Sequence, residues 1–388
     1  QKYIDKGIDL NKKDEKDKTI LFYLCAKKKL DAIRLLIRNG VNLYVEDSFG
    51  RTVLDEACLR SDGVMVRFLI DSGFDINRKN STDRTVLQDV ALEGNYKMFQ
   101  ILMNHKAAFN IKDSYGKTVL FDAIEGGNLS ILKDVINNVD SLNILDENHQ
   151  TVLFKAVLRE DMTLAQTLIV NGININFLDK DGQNVLFNTI LQGSKNIPLI
   201  ELLLKKGINL NIVDNNNKTI IDELLHIHEL QKNNPKNLEG KYKIISPEKD
   251  YLSLALLFIE NGLDIDEIHA DGKTSLQKEL DNKNFTNVEF LIDCGADINV
   301  CDENNKNIIY KEVMKGYSNY KMIDFLILKG ANLEARDFDE KTVIDDIVEI
   351  IAIQKNFKTT NAFFSEIIKE DERYDVLLKK VLTYRPDI

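Results

Sequence analysis

The hydrophobic and polar positions of this chain repeat every 33 residues through its first half. In each repeat a threonine or asparagine is followed by two aliphatic residues, except that Ser275 takes the first of these places after Thr274. They open a mostly apolar stretch. These positions are Thr19, Thr52, Thr85, Thr118, Thr151 and Asn184, and the series resumes at Thr219, Thr274, Asn307 and Thr342 with spacings of 35, 55, 33 and 35. A fixed period of this length predicts a solenoid of stacked units.

Each repeat predicts two short helices. Its threonine suits a helix N-cap, and an acidic or amide residue three positions later would complete a capping box, as at Asp55, Gln88, Asp222 and Asp345. The leucine two positions after the threonine is expected to be buried, at Leu21, Leu54, Leu87, Leu120, Leu153, Leu186 and Leu276. A left-handed glycine would end the second helix, at Gly40, Gly73, Gly172, Gly207, Gly262, Gly295 and Gly330. Lys106 and Val139 replace it in the third and fourth repeats, whose second helices should end less cleanly.

The repeat resembles an ankyrin repeat over nearly the whole chain. The opening Asp-x-x-Gly-x-Thr-x-Leu is present at 47–54, and the closing Gly-x-Asp-hydrophobic-Asn at 73–77. Every repeat departs from the family's Thr-Pro-Leu-His, since none keeps the proline or the histidine. The resemblance implies an all-α, ankyrin-type solenoid of about ten helix–loop–helix repeats joined by β-hairpin-like turns. It also implies a non-enzymatic scaffold that binds a protein partner on its concave face.

The repeat starts divide the chain into five predicted segments. They are a partial repeat at 1–13, repeats 1–6 at 14–213, repeat 7 at 214–268 with an inter-helix insertion at 231–250, repeats 8–9 at 269–336, and a C-terminal capping repeat at 337–388. The insertion is rich in Asn, Lys and Pro and is expected to be mobile with partial anchoring.

Charge and hydropathy narrow the classes of partner. The chain carries 51 Lys and Arg against 62 Asp and Glu, a net charge of −11. An acidic surface disfavours nucleic acid and anionic membranes, and no apolar run approaches the roughly 20 residues that span a bilayer. We therefore expect a protein partner, with no nucleic acid, membrane or small-molecule substrate, and a monomeric chain.

The cysteine pattern favours a reducing compartment. Cys25 and Cys58 hold the same position in adjacent repeats, and helices that pack about 8–10 Å apart place them too far apart for a disulfide. The cytoplasm is the favoured location. Because the first residue is Gln1, a secreted or periplasmic location stays open. So does an alternative function, as the targeting segment of a secreted effector or of an enzyme whose catalytic part lies upstream.

The chemical motifs of the sequence point away from catalysis. Gly116-Lys117-Thr118 lacks the glycine that a phosphate-binding loop needs five residues earlier, where Ile111 stands. His226 and His228, two residues apart, fall on different faces of a helix rather than on one metal. No Ser/His/Asp arrangement is recognised. We expect no catalytic residue, no metal and no cofactor.

The candidate binding residues lie on the hairpin tips and first helices of repeats 2–6, which line the concave side in ankyrin-like stacks. Phe49 and Tyr115 are aromatic residues at turn tips, where exposed rings suit recognition. Directly before the threonine stand Arg51, Arg84 and Lys117, which would steer an acidic partner or, in the favoured alternative, balance charge within the stack. Seven positions after the threonine stand Leu59, Leu92, Leu158 and Leu191, either a binding stripe or, more often at such spacing, inter-repeat core.

Overall fold

The computed structural model describes residues 7–191, 196–233, 250–356 and 374–384. The chain divides into two compact units, 1–216 and 217–388. Residues 234–249, nearly all of the predicted insertion, lie outside the described residues, as do 357–373 of the predicted C-terminal repeat. Each unit is described by itself.

The first unit is built from helix pairs in two layers. The first helices of successive pairs pack on one another, and so do several of the second helices. The pairs are α1 (Ile20–Ala26) and α2 (Leu30–Arg38), α3 (Val53–Leu59) and α4 (Gly63–Asp71), α5 (Val86–Leu92) and α6 (Tyr96–Asn104), α7 (Val119–Gly126) and α8 (Leu129–Asn138), α9 (Val152–Leu158) and α10 (Met162–Val170), α11 (Val185–Ile190) and α12 (Ile197–Lys205).

The second unit continues the same helix pairs with longer first helices at two places. Its elements are α13 (Ile220–Asn233) and α14 (Tyr251–Glu260), α15 (Ser275–Asp281) and α16 (Phe285–Asp293), α17 (Ile308–Met314), a 3₁₀ turn (Tyr317–Asn319) and α18 (Tyr320–Leu328), and α19 (Val343–Asn356) and α20 (Tyr374–Leu382). Helix α20 packs on α19, and Tyr374 Oη donates to the carbonyl of Met314 at 3.0 Å. The regular elements of the described residues are all helices, apart from one isolated antiparallel bridge at Cys301 and Asn307, which confirms the predicted all-α class.

The first helices begin at the predicted threonines, and the residue three positions on decides how each is capped. Both bonds of a capping box form at the four predicted pairs, and also at Thr274 and Gln277. Where that residue is instead a buried phenylalanine, the threonine hydroxyl is buried without a hydrogen-bond partner in the described structure. These three threonines are Thr19, Thr118 and Thr151, followed by Phe22, Phe121 and Phe154. These three repeats lack the side-chain cap and have a buried aromatic ring in the core instead.

The second helices end largely as predicted. All seven predicted glycines have positive φ, between 79° and 99°. Lys106 also adopts a positive φ of 64°, and its N–H donates to the carbonyl of Met103 just as the glycines donate one turn back. The expected loose ending of α6 is therefore wrong, because a lysine can adopt the left-handed conformation at a modest energetic cost. Helix α8 differs as predicted, since Val139 is extended with φ −94° and ψ 146°.

The core lies between the two helix layers. All seven leucines predicted two positions after the threonine are buried. In α7 the six residues from 119 to 124 are all buried, because this helix packs on α5, α8 and α9 at once. The partly exposed positions of α7 are therefore Glu125 and Gly126, at its C-terminal end.

Gly126, at the C-terminal end of α7, marks the closest approach of two first helices. A Cβ atom there would lie 2.3 Å from the carbonyl oxygen of Ala91 and 2.8 Å from that of Leu92, both in α5. Helix propensity alone would make Gly126→Ala stabilising by up to about 1 kcal/mol. We expect instead a loss of about 1–3 kcal/mol, because the added atom meets backbone that cannot move aside.

Urea unfolding of the variant measures this loss. Gly63→Ala is a suitable control, since its Cβ would meet only the side-chain ends of Ile101 and Met98, and it should cost less than Gly126→Ala. A Gly126→Ala protein more stable than the wild type would show that α5 and α7 do not approach this closely.

Candidate functional site

The hairpins before most of the first helices are held by an opening aspartate, which Asn80 replaces before α5 and His269 before α15. Asp47 N–H donates to the carbonyl of Arg51 at 2.9 Å, and the Asp47 carboxylate accepts from the amides of Phe49 and Arg51 at 2.9 and 3.1 Å. Asp113 binds the amides of Tyr115 and Lys117 in the same way, both at 2.9 Å. These bonds fix the backbone of each turn, and the aromatic side chain is left at its tip.

The two predicted tip aromatics are exposed. The Phe49 ring is 73% exposed and Tyr115 is 56% exposed. One face of Phe49 is covered by the Arg51 guanidinium, whose central carbon lies 4.7 Å from the ring centroid, a cation–π contact. Neither ring is packed into the core, so both remain available to a partner.

Arg84 is enclosed by carboxylates. Its guanidinium lies 2.7 Å from Asp89 and 2.8 Å from Asp122, and 3.5 Å from Asp113 of the next hairpin. Burial disfavours the charged form, but the charge of Asp122 and the hydrogen bonds outweigh it and raise the pKa of Arg84. Its side chain is only 19% exposed. Arg84 therefore balances charge within the stack, as in the favoured alternative, and leaves no unpaired charge to steer a partner.

Arg51 and Lys117 are also paired within the stack. Arg51 Nη2 lies 2.8 Å from Asp47, and this hydrogen bond is the main cause of its raised pKa. Lys117 Nζ lies 3.0 Å from Glu125. Burial lowers the pKa of the lysine, but the hydrogen bond to Glu125 and the nearby carboxylate charges together outweigh it and raise the pKa. Both side chains keep partial exposure, so they are rim groups whose charge is already matched.

The residue directly before the threonine also links successive hairpins along the first unit. Lys18 Nζ lies 3.7 Å from the carboxylate of Asp47, which opens the next hairpin. Where the residue is glutamine, its amide takes the same role: Gln150 donates to Asp179 at 3.2 Å. This ladder of bases and glutamines thus contacts the following aspartate at Lys18, Arg84, Gln150 and Gln183.

Three of the four stripe leucines are partly exposed and one is not. Leu59, Leu92 and Leu158 are 41%, 40% and 47% exposed at the C-terminal ends of α3, α5 and α9. Leu191 is only 1% exposed. It follows α11, which ends one residue earlier in its repeat than these helices do. Leu191 belongs to the core, and its predicted role as a contact residue is not supported by this position.

A cavity of about 320 Å³ collects four of the nine predicted residues, and we call it the Phe49 pocket. It lies between two successive hairpins, at 47–51 and 80–84, and the helices α3 and α5 that follow them. Its lining residues are Phe49, Arg51, Asp55, Cys58, Leu59, Asn80, Thr82, Val86, Asp89, Val90, Leu92 and Glu93. Tyr115, Lys117 and Leu158 lie on hairpins and first helices further along the unit, outside this lining.

Carboxylates in the Phe49 pocket were not among the predicted site residues. Burial raises the pKa of Asp55 to about 6. Burial, and then the nearby charge of Asp89, raises the pKa of Glu93. One sequence signal could have identified Glu93. Eight positions after the threonine, four other repeats carry a base: Lys27, Arg60, Arg159 and Lys315. The acidic Glu93 reverses the charge at this position.

The second unit brings together a serine, a histidine and an aspartate that the sequence did not reveal. His269 Nε2 lies 2.9 Å from Ser275 Oγ, and His269 Nδ1 lies 3.8 Å from Asp222. Ser275 Oγ also lies 3.3 Å from Asp222, and Ser275 is buried. A hydroxyl enclosed by its own fold presents no surface to a substrate. We interpret the group as a link between α13 and the hairpin before α15.

The remaining chemistry of the described residues is limited. All four cysteines are free, and burial raises the pKa of the Cys25 thiol to about 12, which makes it a poor nucleophile. Over the described ranges, no group of three His, Cys, Asp or Glu side chains is placed to hold a metal ion. In the same part of the chain, no helix has the length and apolarity to cross a membrane.

A solved structure and a family model are similar to parts of this chain. The crystal structure of the ankyrin repeat domain of Bcl-3, described as a unique member of the IkappaB protein family, is similar over 54% of this chain and 95% of its own, with 18% identity and a TM-score of 0.48. No curated protein matches the sequence. The family model for ankyrin repeats in three copies matches residues 1–80, 65–146 and 153–226, more than half of the chain. The chain therefore belongs to the ankyrin-repeat family.

Proposed function

We propose that this chain is a non-enzymatic scaffold that binds a protein partner on the concave face formed by its hairpin tips and first helices. Ankyrin repeats are in general protein–protein interaction modules. The Phe49 pocket is the observation that carries the proposal, because it joins an exposed aromatic tip to the exposed ends of two first helices. Aromatic side chains beside well-formed pockets carry much of the binding energy at interfaces.

The contact surface extends beyond this pocket along the same layer. Tyr115 and Leu158 are exposed on the next hairpins and first helices and continue the apolar surface. Arg51 and Lys117 lie at its rim, where charges mainly affect association rates. Arg84 and Leu191 are left out of the proposed contact set because of their burial.

Comparative affinity capture tests this function. The full chain would be used as bait beside a Phe49→Ala/Tyr115→Ala double variant and a Val64→Ala/Val170→Ala control. Val64 and Val170 are exposed valines of the second-helix layer, so they match the first pair in being apolar and exposed. A partner retained by the wild type and the control but lost by the double variant is the expected result. A partner retained equally by all three would place binding elsewhere.

A further inference from the structure

We propose that the Phe49 pocket receives an arginine or lysine side chain, flanked by an apolar residue, from a segment of the protein partner. This inference rests on the proposed function and specifies the partner chemistry at its central pocket. It replaces the acidic partner that the ladder of bases suggested from the sequence.

The first argument is the balance of charge in the pocket lining. The lining holds one base, Arg51, and three carboxylates. Asp55 caps Thr52 and Asp89 is bound to Arg84 at 2.7 Å, so Glu93 is the carboxylate of the lining that no such bond occupies. The base is already used, since Arg51 is bound to Asp47 at 2.8 Å outside the lining. The bases of the ladder thus add no free positive charge to the pocket, and the net field favours a cation.

The second argument is the state of Glu93. Four other repeats carry a base at this position. In three of them it binds a neighbouring acid or carbonyl: Arg60 binds Glu56 at 2.8 Å, Arg159 the carbonyl of Glu125 at 2.8 Å, and Lys315 Glu312 at 2.6 Å. Glu93 forms no ion pair within the described part of the chain, and the base whose charge reaches it, Arg51, is bound to Asp47. It stands at the end of α5, beside Leu92 and the pocket mouth. A partner's cation would supply the charge that the repeat itself supplies elsewhere.

The third argument is the match between the pocket walls and such a side chain. Leu59, Leu92 and Val90 line the pocket along its apolar side. The methylene groups of arginine or lysine pack on apolar walls while the charged end stays with polar groups. An arginine suits the site best, because its planar fork can bond a carboxylate through two N–H groups and can stack on an aromatic ring such as Phe49.

Selection from a random-peptide phage library on the immobilised full chain tests this inference. The selected peptides are then measured against Glu93→Lys and against Glu160→Lys. Glu93→Lys restores the residue type that other repeats carry at its position. Glu160 is an exposed acid outside the pocket, and its backbone φ of 55° matches that of Lys28 and Lys283 at the equivalent position, so a lysine fits there. Circular dichroism and urea midpoints confirm that both variants fold.

The expected peptides carry an arginine or lysine next to an apolar residue, and Glu93→Lys weakens them by about tenfold or more while Glu160→Lys has little effect. Peptides that need Phe49 but ignore Glu93→Lys, or that are rich in Asp and Glu, would overturn this inference and leave the proposed binding face intact. Peptides indifferent to both Phe49→Ala and Glu93→Lys would overturn both. A library that yields no binder at all would also overturn it, because an open, preformed pocket predicts binders.

Discussion

Replacing Leu120 by alanine is expected to lower the free energy of unfolding by about 2–5 kcal/mol. Leu120 is fully buried in α7, which packs on α5, α8 and α9. The truncation removes apolar burial and leaves a cavity in the layer where three helices meet. Each repeat buries its apolar face only against its neighbours, so one cavity weakens two interfaces.

Urea unfolding of Leu120→Ala beside Leu158→Ala measures this effect with the same chemical change at two depths. Leu158 is about half exposed at the end of α9, so its truncation should cost clearly less. Equal losses for the two variants, or a loss below about 0.5 kcal/mol at Leu120, would show that the register of the repeats is wrong.

The Phe49→Ala/Tyr115→Ala variant is expected to bind the partner about 2–4 kcal/mol more weakly, which is roughly 30-fold to 1,000-fold in Kd. Aromatic anchors in a desolvated pocket carry most of the binding energy at an interface, whereas paired rim charges carry little. Folding stability should change little, since both rings lie at exposed tips whose turns are fixed by Asp47 and Asp113.

Calorimetry or interferometry with the captured partner gives the affinities, and the Val64→Ala/Val170→Ala variant serves as the control for surface truncation. The control should bind as the wild type does. If the folded double variant binds with unchanged affinity, the two aromatic tips are not anchors. If it loses folding stability instead, the rings pack against neighbouring hairpins.

Much of the fold could be predicted because local chemistry repeats with the period. Threonine caps, buried leucines and left-handed glycines each depend on neighbours within a few residues in the chain, so a pattern at fixed spacing reports them. Lys106 shows the limit of this reasoning. The helix and the loop around it set the backbone at the end of α6, and Lys106 adopts the positive φ that this backbone requires.

The candidate site was only partly predictable. The exposure of Phe49 and Tyr115 follows from their place at a turn tip, which the sequence shows. The pairing of Arg84 with Asp89 and Asp122 does not, because Asp122 lies in the following repeat and its distance depends on how two helices stack. The burial of Leu191 depends likewise on the end of α11. Contacts between repeats can be identified only from the structure.

Site-specific photocrosslinking tests the central claim, binding on the first-helix side, most directly. p-Benzoylphenylalanine would be placed at Leu158, at the end of α9, and in a second protein at Val170, at the end of α10. Both residues are exposed and belong to the same helix pair, but they lie in different helix layers. The account predicts adducts with the partner from position 158 and none from position 170. Adducts from position 170 alone, with binding retained by both proteins, would contradict it.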